Sequence, residues 1–251
     1  MQKVTILNKK EGQTPLQALE FFRSKNKEYE GVKMTYAGRL DPMASGLLIV
    51  LAGEETKNKE KYLNLDKEYL FEVLFGFKTD TYDILGKVTD KKEVSFGREE
   101  IEKILKKETK KMKGKFFQEY PIYSSKTVEG RHLFEYARNG ESVSIPKKEV
   151  EIKNIKINKI KKIKGTILKK KIIKRVGLVS GDFRQKEILE IWSKNINEKS
   201  MYFISEMKVS CTSGTYVRVI ANSLGEALGV GALAYSIKRT KIGKYKMPSI
   251  G

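Results

Sequence analysis

The run GRLDPMASGLLIVLAGEETK, residues 38–57, constrains the fold of this chain more than any other stretch. Pro42 fixes its own φ and steers Asp41 away from helical backbone. Ala44, Ser45 and Gly46 leave room for something to come close to the main chain. LLIVL (47–51) then reads as a buried segment bounded by Ala52 and Gly53. The pattern predicts an acid held in an extended turn at the mouth of a packed core, a place for chemistry.

The rest of the chain supplies strands and helices without a regular βαβ rhythm, which favours an α+β fold with a mixed sheet. Residues 1–7 read as a first strand. Thr14 and Pro15 predict a helix start, with Thr14 as N-cap and Pro15 at the first helical position; the helix runs on through Leu16, Leu19, Phe21 and Phe22. KEYLFEVLFGF (67–77) and residues 207–213 read as strands. Residues 98–113 predict a helix, and 133–138 a shorter one closed by Asn139 and Gly140. Thr215 is positioned to cap a helix carrying Val219, Ile220 and Leu224, with Gly229 near its end. The Ile/Lys-rich segment from 150 to 174 alternates in part with period two and predicts strands with one basic face, either lysine-protected edges or an RNA-binding strip. With only five prolines and no repeat or low-complexity linker, 1–251 reads as a single domain.

Composition narrows the chemistry. One cysteine (Cys211) and one histidine (His132) make an intrachain disulfide impossible and a His/Cys zinc site nearly so. Carboxylate, lysine, tyrosine, serine and threonine remain for catalysis. A formal net charge of +20 points to a polyanionic partner, RNA or DNA. No apolar run approaches membrane-spanning length and residues 1–10 lack a signal-peptide core, so the expected setting is cytoplasmic, with no membrane role.

Several segments, in order, resemble the TruB family of tRNA pseudouridine synthases, which modify uridine-55 in the T loop. ILNKKEGQTP (6–15) is similar to the family's N-terminal signature through Lys9, Gly12 and Thr14. GRLDPMASGLL resembles the catalytic loop, with Asp41 at the nucleophile position. KEYLFEVLFGFKTDTYDILG (67–86) resembles the strand with the active-site tyrosine, Tyr69, and the Thr-Asp-Thr run after it. FQEYPIYSSKTVEGRHLFEYARNG (117–140) resembles the RNA-gripping thumb. CTSGTYVRVIANSLGEALG (211–229) resembles the segment whose arginine, Arg218, pairs with the catalytic acid. SIKRTKIGKY (236–245) resembles the closing strand, with Ile237 in the apolar slot beneath the base.

The resemblance implies a pseudouridine synthase fold, with a mixed, largely antiparallel central sheet flanked by helices and loops. It implies uridine isomerisation in the tRNA T stem-loop without a metal or other cofactor, by a monomer needing no protein partner, together with assistance to tRNA folding. Tyr69 would stack on the base and act as general base; Tyr36, Arg39, Lys9, Lys67, Ile237, Tyr123, Lys126 and His132 would contact RNA. The chemistry suits these residues. The base must leave ribose C1′, turn and rejoin through carbon, and a carboxylate can divide that step through a covalent adduct with ribose or base. A stacked base must first be flipped into the pocket, and a guanidinium such as Arg218 would orient the carboxylate through its rigid fork.

Three departures from the family stand out. Tyr36 occupies the position of a base-flipping histidine in bacterial relatives. Lys126 lies one place before the family's usual thumb lysine, which falls at Thr127. No C-terminal PUA domain is expected, and the basic 147–175 segment is the expected substitute grip. Competing readings are a carboxylate pair, Asp41 with Asp80 or Asp83, for glycoside hydrolysis; a weak metal site in TDTYD (79–83); a non-catalytic RNA chaperone; and a guide-RNA-dependent synthase.

Overall fold

The computed structural model describes residues 1–247. Its elements are β1 (Val4–Lys9), α1 (Pro15–Lys25), β2 (Met34–Ala37), β3 (Ala44–Ala52), α2 (Lys59–Leu63), β4 (Lys67–Phe75), β5 (Phe77–Thr79), β6 (Val88–Lys91), α3 (Arg98–Lys111), β7 (Gly114–Glu119), β8 (Thr127–Val128), β9 (Arg131–His132), α4 (Leu133–Asn139), β10 (Lys147–Lys164), α5 (Gly165–Val176), α6 (Gln185–Asn195), β11 (Met201–Cys211), α7 (Val217–Ala227), β12 (Ala232–Ile242) and β13 (Tyr245–Lys246).

One sheet organises them, in the order β1-β3-β12-β4-β11-β10-β7, with β2 added to β3 and β13 to β12. All its pairings are antiparallel except β3 with β12, where Ala44 faces Ile237 and Gly46 faces Arg239. The sheet is therefore mixed and largely antiparallel, as expected. Alternation along β4 sends Tyr69, Phe71, Val73 and Phe75 to a core shared with α3 and α7. On the opposite face Leu74, Ile204 and Leu233 pack beneath α5 and α6, around Trp192, whose indole N–H donates to the Ile84 carbonyl at 3.1 Å.

Local signals place most elements. Thr14 caps α1 within a capping box completed by Gln17, and Gly140 ends α4 with φ of 69°. Two expectations are corrected. The Ile/Lys-rich segment is a strand only to Lys164; beyond it Leu168, Ile172 and Val176 recur every four residues and bury one stripe of α5. Thr215 does not cap α7: its hydroxyl donates to the Thr212 carbonyl at 2.9 Å, closing the turn before the helix, and Tyr216 flanks the first residue instead. Among the described residues no helix is long and apolar enough to cross a membrane.

Candidate active site

The loop between β2 and β3 carries Asp41 as the sequence predicts. The Ala44 amide donates to the Asp41 carbonyl at 3.0 Å, folding the Asp-Pro-Met-Ala turn, and the Gly12 amide donates to Pro42 at 2.9 Å. Lys9, fully buried, donates from one ammonium to the carbonyls of Lys10 (3.1 Å), Gln13 (2.5 Å) and Pro42 (3.4 Å). Its three protons are thereby placed on the main chain, so Lys9 braces the Asp41 loop from within and is not exposed to a phosphate. Burial pulls this ammonium down to about 8, against the opposing pull of Asp41. The close approach expected at Gly46 is filled by protein: a Cβ there would collide with the Arg239 backbone of β12.

Arg239, 1% exposed, holds the approach to Asp41 from the other side. Its guanidinium donates to the carbonyls of Leu47 (2.8 Å), Arg39 (3.2 Å) and Gly38 (3.3 Å). Sequence reasoning gave it no role; its signal was an arginine on an otherwise buried alternation of the closing strand.

Arg218 comes from the first turn of α7, 177 residues from Asp41, and is 2% exposed. Its Nε donates to Asp41 Oδ2 at 2.7 Å and its Nη2 to Oδ1 at 3.3 Å. The other donors are fixed by the Thr81 carbonyl (2.5 Å) and the Tyr123 carbonyl (3.2 Å). The fork is thus held on both sides, and the carboxylate, its side chain 36% exposed, is oriented toward open space. Asp83 Oδ2 lies 3.8 Å from the same Nε. Burial pushes the Asp83 carboxyl up to about 6, with Arg218 opposing and Asp41 adding to the rise.

Asp41 and Arg218 open into a cleft of 740 Å³ lined also by Tyr36, Arg39, Lys67, Tyr69, Tyr123, Lys126 and Ile237. Nine of the eleven residues singled out from sequence meet here; Lys9 and His132 do not line it. His132 sits in the β8–β9 hairpin, its Nδ1 3.2 Å from the Thr127 hydroxyl and its ring stacked on Phe134. Tyr69 stands opposite Arg239 across the β4–β12 pair, and Ile237 opposite Phe71. Tyr69 and Ile237 share one apolar cluster with Leu40 and Ala44, forming a slot beside Asp41. Burial pushes the Tyr69 phenol up, with the Arg239 charge pulling against it. Lys67, 6% exposed, donates to the Leu63 carbonyl, and burial, aided by Arg239, pulls it down to about 8. Tyr36 is half-buried on β2, with the Lys59 ammonium 5.8 Å from its ring centre.

The acidic residues weighed for other chemistry are engaged by protein donors. Asp80 accepts from the Lys87 amide at 2.9 Å and from Arg184 at 2.7 Å. Asp83 Oδ1 accepts from the Thr81 hydroxyl and the Leu85 amide, both at 2.9 Å. The hydrolytic pair and the TDTYD metal reading both need carboxylates turned to substrate or ion, and these are turned to arginines and amides. Among the described residues no group of three His, Cys, Asp or Glu is placed to hold a metal.

Residues 23–172 match the model of the TruB family pseudouridylate synthase N-terminal domain. The chain belongs to the TruB family. Over 245 residues it is 33% identical to tRNA pseudouridine synthase B of Caldicellulosiruptor saccharolyticus, covering 98% of this chain and 69% of that protein. Over 242 residues it is 31% identical to the protein of the same name from Aquifex aeolicus, covering 96% and 69%. Among solved structures, a Cbf5-Nop10-Gar1 complex superposes with a TM-score of 0.57 at 18% identity. That match covers 97% of this chain and spans half the length of the Cbf5-complex chain, a likeness of fold. In this chain the residues around Asp41 come from the β2–β3 loop, the central strands β4 and β12, and the start of α7.

Proposed function

We propose that this chain isomerises uridine to pseudouridine at position 55 in the T loop of tRNA, with Asp41 as the nucleophile. The observation that carries the reading is the Asp41–Arg218 pair at the mouth of a cleft whose slot is made by Tyr69 and Ile237. Membership of the TruB family and the names of its relatives supply the substrate class. The target uridine is flipped into the slot, stacks on Tyr69 and rests against Ile237. Asp41 attacks ribose or base, the glycosidic bond is broken, and the base turns and rejoins through C5. Tyr69 takes the C5 proton as general base, and Arg218 holds the carboxylate on line throughout. Tyr36, at the rim, serves the flipping role. The chain 117–140 acts as a thumb on the RNA, and the net charge of +20 supports its capture. The protein works as a cytoplasmic monomer with no cofactor or obligatory partner.

Incubating the protein alone with an unmodified tRNA transcript and mapping pseudouridine tests this directly. Conversion at position 55, abolished by Asp41→Asn with tRNA binding retained, is the expected result. Binding without conversion by the unaltered protein would support the chaperone reading, and conversion only with added guide RNA would support the guided one.

A further inference from the structure

The segment between α5 and α6, residues 177–184, crosses to the cleft from the far side of the sheet. Leu178 packs so closely on Gly12 that a Cβ there would strike its backbone, and the Ser180 hydroxyl accepts from the Gln17 amide at 2.7 Å. Farther along, Arg138 of α4 donates to the Asp182 carbonyl at 2.7 Å. The segment ends at Arg184, whose φ of 62° is a left-handed conformation uncommon outside glycine. Such backbone persists where the surroundings over-determine it, and here they do.

The Arg184 Nη1 donates to Asp80 Oδ2 and to the Tyr123 hydroxyl, each at 2.7 Å, and its guanidinium stacks 4.3 Å from the Tyr123 ring centre. Both bonds use one nitrogen. The Nε–Nη2 edge, the edge that fits two oxygens of a phosphate, has no protein partner among the described residues. Arg184 also lines the cleft, in a row of cations laid on aromatic rings: Lys126 lies 5.4 Å from the Tyr120 ring centre and Arg138 5.7 Å from Phe134, all four residues lining the same cleft. Asp80 pairs with Arg184 and Asp182 lies 3.9 Å from Arg138, so the three cations keep one net positive charge, with Lys126 facing no carboxylate among the described residues.

We propose that Arg184 is a substrate-positioning residue that grips, through its Nε–Nη2 edge, a phosphate flanking the flipped uridine. The inference rests on the RNA-isomerase reading. Flipping swings a nucleotide about its own backbone, so the adjoining phosphates stay at the rim while the base enters the slot. A guanidinium fixed beforehand by Asp80 and Tyr123 meets such a phosphate with little further ordering.

Binding of a T stem-loop RNA is measured across salt concentrations in an Asp41→Asn background, so that no turnover intervenes. Arg184→Ala is expected to weaken binding about tenfold and to lower the slope of log affinity against log salt by about 0.7–0.9. Asp80→Asn leaves that slope unchanged, whereas an Arg184 that only braced Asp80 would give matching losses in both variants and no change of slope. A second test leaves the protein otherwise unaltered: each phosphate flanking the target uridine is replaced in turn by a neutral methylphosphonate. One replacement is expected to cost the Arg184 protein about tenfold in affinity and the Arg184→Ala protein nothing further. Additive losses at both positions, or an unchanged salt slope in Arg184→Ala, overturn the proposal. If pseudouridine forms on tRNA while these results fail, only the role of Arg184 falls; if none forms, the functional reading falls first.

Discussion

Replacing Arg218 by lysine keeps the charge beside Asp41 and removes the fork. In the structure this guanidinium makes two bonds to Asp41 and one each to the Thr81 and Tyr123 carbonyls. An ammonium in a space only 2% exposed can follow the carboxylate or the carbonyls but not all four acceptors, because its donors diverge from one point. Hydrogen bonds to charged groups contribute about 1.5–3 kcal/mol each. Losing the second bond to Asp41, with the aim it gives the nucleophile, costs the transition state about 3 kcal/mol, or about 10²-fold in rate. The assay is single-turnover release of tritium from RNA labelled at uridine C5, with tRNA affinity measured in parallel. The expected pattern is a fall in rate of about 10²-fold with affinity within about threefold of the unaltered protein. A rate within about threefold, or a defect confined to affinity, would refute the claim that the fork's geometry, beyond its charge, sets the nucleophile.

Three further outcomes are expected. Tyr69→Phe keeps the stacking ring and removes the proton-handling hydroxyl, so the single-turnover rate should fall by about 10²-fold or more with RNA affinity preserved; a loss under tenfold would remove the phenol from the chemistry. Lys9→Met should change the pH profile of stability: the folded ammonium titrates near 8 and the unfolded one at 10.5, so between those values the unfolded chain holds the extra proton. Stability of the unaltered protein relative to Lys9→Met should therefore rise with pH over that interval, by up to roughly 3 kcal/mol; a flat difference in urea unfolding would contradict the buried charge. Gly46→Ala combines a φ of 103° with a clash against the Arg239 backbone and should destabilise by at least about 3 kcal/mol, read from the urea midpoint, whereas a shift under 1 kcal/mol would show that β3 and β12 can part there.

What the sequence could say depended on whether the cause was local. The Asp41 turn was legible because Pro42 and the small residues after it act on their own neighbours. The caps at Thr14 and Gly140 were legible for the same reason. Arg218 carried no local mark of its partner; only the resemblance paired it with an acid 177 residues away. The resemblance places Lys9 among RNA contacts, but a sequence shows no burial, and folding encloses its ammonium against the carbonyls of Lys10, Gln13 and Pro42. The helix α5 reads as strand because its lysines interrupt the apolar stripe and continue the composition of β10. Arg184 was invisible, since its conformation and its contacts to Asp80 and Tyr123 exist only in the assembled structure.

The position of β12 has a bearing on how the protein comes into being. This strand, made from residues 232–242, lies between β3 and β4, both completed by residue 75. A nascent chain therefore has no continuous sheet until its late segment threads between two early ones, and the slot gains Ile237 and the Arg239 brace only at that moment. Long-range closure of this kind is slow relative to local pairing. Meanwhile the lysines of residues 147–174 have already emerged, among them Lys153 and Lys161, which the finished sheet pairs with Asp66 and with Glu72 and Glu206. The cleft beside Asp41 is therefore complete only once synthesis has passed β12.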